Sequence, residues 1–122
     1  MNLFADFLVA FVALAHAWFL VLEMFLWTKP LGLKTFRNTP ERARDSATLA
    51  ANQGLYNGFL SAGLVWGLVT APPSQALAVK TFFLGCVVVA GVYGAWSVSK
   101  RIFYIQALPA ILALVVLRLA GN

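Results

Sequence analysis

The sequence predicts an all-α fold, a four-helix transmembrane bundle, and three observations carry that prediction. The 122-residue chain is 61% hydrophobic and only 11% charged. Its apolar residues fall into four long runs divided by short polar loops. Its cations gather in alternate loops. A soluble domain of this length has too little interior to hide so many apolar side chains. An apolar run of about 18 residues or more, with few or no charges, reads as a membrane span and is long enough for a hydrocarbon core of about 30 Å. Backbone groups in lipid are satisfied within the segment, so the spans are expected as helices; the alternation of a membrane strand is absent.

The first span is expected over residues 3–27. Its stretch "ALAHA" has small-residue spacings that loosely suit a signal peptidase, but "MNLFAD" carries no Lys or Arg and the apolar run is too long, so the span is expected to be retained. The second is expected over residues 46–70, with its helix beginning earlier, near Pro40. Thr39 can cap it, Pro40 suits the first helical position and Glu41 sits well in the first turn. The third covers residues 76–99 and holds Cys86, the single cysteine, which excludes an internal disulfide. The fourth covers residues 102–120, where Pro109 should kink the helix and free the carbonyl of Ile105 beside Gln106. With no repeat, low-complexity tract or long linker, residues 1–122 read as one integral-membrane domain.

Charge gives the orientation. The first loop carries Lys29, Lys34, Arg37, Arg42 and Arg44, and the third carries Lys100 and Arg101. The second loop, "APPSQ", has none. Lys and Arg mark the cytoplasmic face, so loops one and three are expected inside and both termini on the extracytoplasmic side of a membrane crossed several times. The net charge of +5 therefore reflects topology and contact with the lipid bilayer rather than a nucleic-acid partner. Asp6, Lys80 and Arg118 fall towards the other face, where simple solvation is expected ahead of pairing.

The polar residues inside the spans are the candidates for function. His16 and Glu23 are seven apart, hence on one helical face, and Trp27 continues it. In the second span Asn52 is in register with Tyr56, and Gln53 with Asn57, filling an arc of about 140°. Gly54 and Gly58 form a separate ridge of small residues suited to close helix contact. At 1.5 Å of rise per residue, Glu23, Asn52, Gln53, Tyr93 and Gln106 share a layer roughly 6–9 Å from the expected cytoplasmic end, and His16, Tyr56 and Asn57 share the next. Unpaired ionisable or amide groups at such depth are costly and face a bundle interior or wet cavity. A polar pocket opening to the cytoplasm is therefore expected. In it, Glu23 and His16 are the candidate proton-handling or catalytic groups. Asn52, Gln53, Tyr56, Asn57, Tyr93, Gln106 and Trp27 are the candidate ligand-binding set. One His, and a Cys in another span, leave no close ligand spacing for a metal or haem, so neither metal nor cofactor is expected.

At these residues the chain resembles a known family. "HAWFLVLEMFLW", "LAANQGLYNGFLSAGLVWGL", "GCVVVAGVYGA" and "QALPAILAL" together resemble a bacterial family of small four-helix membrane proteins known as domain of unknown function 1304. The resemblance covers nearly the whole chain. It implies an all-helical inner-membrane protein and singles out His16, Glu23, Asn52, Gln53, Asn57 and Gln106, but implies no activity.

Three functions stay open at this stage. The first is a pocket binding a small polar or amphiphilic molecule, with Glu23 and His16 managing charge or protons. The second is a proton-coupled small transporter; four helices are few for alternating access, so this version requires a homodimer meeting on a small-residue face. The third is a structural or assembly subunit whose polar layer only fixes helix register. An enzyme would need Glu23 or His16 within hydrogen-bond reach of a substrate proton, which sequence does not decide.

Overall fold

A computed structural model describes residues 2–121. Among them every regular element is helical: α1 (Leu3–Met24), α2 (Pro30–Phe36), α3 (Pro40–Val69), α4 (Pro73–Ser97) and a last helix, α5 (Lys100–Ala120). Three of these, α1, α4 and α5, are long and apolar enough to cross a membrane, and the chain is accordingly a membrane protein. The remaining expected span, the second in chain order, lies in a continuous helix, α3, which at 30 residues is the longest. It falls short of the others in apolarity because its first turns are charged and its middle holds Asn52, Gln53 and Asn57.

Local chemistry sets the ends. Asn2 Oδ1 accepts from the Ala5 N–H at 2.8 Å, occupying one of the orphan donors that open α1. Thr39 Oγ1 accepts from the Arg42 N–H at 3.2 Å and caps α3 as expected, with Pro40 in the first turn. Ser99 Oγ plays the same role for α5, accepting from the Arg101 N–H. The short helix α2 was not expected. It opens on Pro30 and closes with Arg37 in the left-handed conformation, φ 56°. There the Asn38 N–H bonds to the Leu33 carbonyl and the Arg37 N–H to the Lys34 carbonyl, the paired closure that ends many helices.

The last helix is irregular just before Pro109, where a kink was expected. Residues Phe103–Ala107 make a π-helical turn, in which the Leu108 N–H reaches back to the Phe103 carbonyl. Proline lacks an N–H and crowds the carbonyl four residues back, here Ile105. A widened turn is one way a helix accommodates such a carbonyl, and both Ile105 and Gln106 lie inside this one.

The chain divides into two compact units, Leu14–Ser61 on the one hand and the residues up to Ala13 with those from Ala62 onward on the other. In the second unit α4 packs against α5 around Ala107, Ala110 and Ala113, all fully buried. A Cβ added at Gly91 would stand 2.7 Å from the Ala107 nitrogen, so this backbone-to-backbone approach admits no larger residue. The outward face of α1 presents Leu3, Phe4, Phe7, Phe11, Leu14 and Trp18 at helical spacing. So large an apolar surface is what a helix shows to lipid rather than to water.

Candidate functional site

The unit Leu14–Ser61 holds the candidate site, made by the last turns of α1 and the first half of α3. The two ionisable residues of α1 that fall in this unit point inward: His16 is 1% exposed and Glu23 7% exposed. Their seven-residue spacing puts them on one face, and it is the face the chain covers. His16 lies edge-on to Phe19, with ring centroids 5.0 Å apart.

On α3 the contact seam is Gly54, Asn57 and Gly58, at positions i, i+3 and i+4. A Cβ added at Gly54 would stand 2.7 Å from Met24 Cγ, 3.0 Å from Glu23 Cβ and 3.3 Å from the Leu20 carbonyl oxygen. The absence of a side chain there lets the α3 backbone run against the α1 turn that carries Glu23. Asn57 follows one turn later and is 6% exposed. Its Nδ2 donates to Glu23 Oε1 at 2.6 Å, a short hydrogen bond between two buried side chains 34 residues apart in sequence. The carboxamide is a chemically apt partner. It donates to a carboxylate through N–H and can accept from a protonated carboxyl through C=O, so it can serve Glu23 in either protonation state. A Lys or Arg in its place would offer donors only.

Trp27 closes the same unit from the loop after α1. Its indole N–H donates to Ser46 Oγ at 3.1 Å, and its ring packs on Phe36 of α2 with centroids 4.8 Å apart. The Ser46 hydroxyl in turn donates to the Arg42 carbonyl at 2.7 Å. This chain of contacts ties α2 and the loop after α1 to the first turns of α3.

The remaining expected residues are distributed differently. Asn52, Gln53 and Tyr56 are exposed on α3, with the Tyr56 ring 6.0 Å from that of Phe59. In the other unit Tyr93 is exposed on α4 and Gln106 is half-buried in the π-helical turn of α5. Of the expected set, then, the chain's own fold draws Asn57 onto Glu23 and turns the Asn52–Tyr56 pair outward. Asn57 lies only about 60° round the helix from Gly54, so it belongs to the smooth seam as much as to the polar arc. Two contributors were missed from sequence. Ser46 is an inconspicuous hydroxyl at a helix start. Gly54 was read as packing, which it is, but its packing partner is the Glu23 turn.

Comparison with known proteins follows the same residues. A family model described as a protein of unknown function, DUF1304, matches residues 10–118. The chain belongs to the DUF1304 family. Among its relatives is the uncharacterized protein YpaA of Lactococcus lactis subsp. lactis (strain IL1403). It is 30% identical over 106 residues, which cover 85% of this chain and 87% of the relative. No solved structure matches this DUF1304 chain. The matched span includes His16, Glu23, Asn57 and Gln106 and leaves out Asp6.

Proposed function

We propose that the chain is a four-span protein of the bacterial inner membrane, with both termini outside, that uses Glu23 to take up and release a proton while binding a small polar or amphiphilic molecule from the cytoplasmic side. In this reading α3 crosses the membrane as well as α1, α4 and α5, and the basic first loop with Lys100 and Arg101 lies at the cytoplasmic surface. The observation that carries it is the 2.6 Å hydrogen bond from Asn57 to Glu23, with both side chains more than nine-tenths buried. An intramembrane carboxyl is a functional candidate by default, and one met by an amphoteric amide can change protonation without losing its partner. His16, on the same face two turns earlier, is the second proton-handling candidate. Infrared spectroscopy of the protein in lipid, titrated with pH, tests this directly. A protonated-carboxyl band that comes and goes reversibly, and is missing from Glu23→Gln, supports the proposal. A Glu23 carboxyl that keeps one protonation state across the range contradicts it.

A specific observation also favours self-association. Asn52, Gln53 and Tyr56 face away from the core of their own chain. Carboxamides near a lipid boundary gain most from a polar partner, and a second copy offers the same donors and acceptors by symmetry. Disulfide trapping of Gln53→Cys in native membranes tests this, and a monomer under those conditions rules it out.

A further inference from the structure

A second polar feature lies entirely within the unit formed by the start of α1, the end of α3, α4 and α5, and it is independent of the Glu23 reading. Lys80 of α4 and Asp6 of α1 form an ion pair, Nζ to Oδ1, at 2.7 Å, with side chains 11% and 24% exposed. Simple solvation was the expectation for both, and the structure corrects it. The pair borders a cavity of about 400 Å³ whose walls are mainly apolar, among them Ala5, Leu68, Ala76, Leu77 and Leu117. That volume and composition match a small-molecule site, which is typically apolar with a few placed polar groups.

Among the described residues the ion pair leaves donors and acceptors to spare. An ammonium has three N–H donors, and Lys80 commits one to Asp6. The Asp6 carboxylate offers a second oxygen. Asn2 also lines the cavity; its Oδ1 is held by the Ala5 N–H, which leaves the amide N–H₂ to donate. The position of Lys80 is fixed from behind, because α3 passes it at Gly67. A Cβ added at Gly67 would stand 2.7 Å from Lys80 Cγ and 3.2 Å from the Lys80 nitrogen.

Charge selects the ligand. The pair is neutral as a unit but presents both signs side by side. A simple anion drawn to Lys80 meets repulsion from Asp6, and a simple cation meets the converse. A molecule carrying an ammonium and an anionic group a few bonds apart can lie antiparallel to the pair, with its anion on Lys80 and its cation on Asp6. It then gains charge-assisted hydrogen bonds at both ends without adding net charge to a mainly apolar cavity. We infer that this cavity binds a zwitterion with an apolar portion, its charged groups paired with Lys80 and Asp6 and its apolar portion against Leu68, Leu77 and Leu117. Two sources share that chemistry: a free amino acid with an apolar side chain, and the headgroup of an ethanolamine phospholipid.

The test uses the full chain in an uncharged detergent with three probes: leucine, short-chain phosphatidylethanolamine and, as the anionic control, short-chain phosphatidylglycerol. Binding is read by calorimetry and by thermal stabilisation. The inference predicts saturable binding of at least one zwitterion and tighter binding of it than of the anionic lipid. Leucine alone identifies a free zwitterion, and the ethanolamine lipid alone identifies a headgroup site. Lys80→Met should weaken binding about tenfold or more, the effect of losing one charged hydrogen bond. If Lys80→Met fails to fold because Asp6 is left buried and unpaired, the doubly neutral Asp6→Asn with Lys80→Met replaces it. If neither folds, the comparison of probes on the native chain decides. Absence of zwitterion binding, equal or tighter binding of the anionic lipid, or unchanged binding by a folded Lys80 variant overturns the inference.

Discussion

Replacing Asn57 by Leu tests how the two helices are joined. The substitution removes the donor to Glu23 Oε1 and keeps a side chain of similar size. Two terms add. Interhelical hydrogen bonds in membrane bundles average about 0.6 kcal/mol and reach about 1.7. The Glu23–Asn57 bond belongs near the upper figure, since at 2.6 Å it is short and both residues are buried. The second term is the orphaned carboxyl, whose desolvation without a partner costs about 1–3 kcal/mol. Asn57→Leu is therefore expected to destabilise by about 3–5 kcal/mol. Glu23→Gln should cost far less, about 0–1 kcal/mol, because a Gln carbonyl can still accept from Asn57. The double variant Glu23→Leu with Asn57→Leu removes both polar groups and should recover part of the loss, leaving a coupling of about 1–2 kcal/mol between the sites. Reversible unfolding in mixed micelles measures all of these. A loss under about 0.5 kcal/mol for Asn57→Leu, the range of an ordinary surface change, would show that the bond does not hold α1 to α3.

The other expectations are more local. Gly54→Leu should destabilise by about 1–3 kcal/mol or more through overpacking, since even a Cβ there meets Glu23 Cβ at 3.0 Å, and circular-dichroism melting reads it. Trp27→Phe keeps the packing on Phe36 but loses the N–H to Ser46, for a cost of about 0.5–1.5 kcal/mol by the same melting assay. Ser46→Ala should cost a similar amount, and the two should not add. Tyr93→Phe, on an exposed side chain, should change stability by no more than about 0.5 kcal/mol.

Much of the architecture was legible because it rests on runs of apolar residues, which are hard to read two ways. The Thr39 and Pro40 start of α3 was legible for a local reason, since capping depends on one side chain's oxygen; ahead of Pro109 the sequence suggested a kink and the helix has a π-helical turn. Helix α2 was not legible. Seven residues give too little periodicity, and its closure uses Arg37 in a left-handed conformation where glycine would have been the signal. The site was legible in part. Seven-residue spacing put His16 and Glu23 on one covered face, but depth grouped Glu23 with Asn52 and Gln53 and set Asn57 one layer deeper beside His16, whereas Asn57 is the residue that bonds Glu23. The rotation of α3 is set by Gly54 against the Leu20–Met24 turn of α1 and Gly58 against the Leu20 side chain, and that rotation brings Asn57 in while Asn52 and Tyr56 turn out. The Asp6–Lys80 pair, 74 residues apart, depends on helix packing that no local pattern encodes.

Covalent labelling by a lipid-soluble carbodiimide, which attacks protonated carboxyls out of water, tests the central claim most directly. In native membranes, with sites mapped by mass spectrometry, the account predicts modification at Glu23 that slows as pH rises and is lost in Glu23→Gln. An unlabelled Glu23 at every pH, or labelling at a rate indifferent to pH, would contradict it.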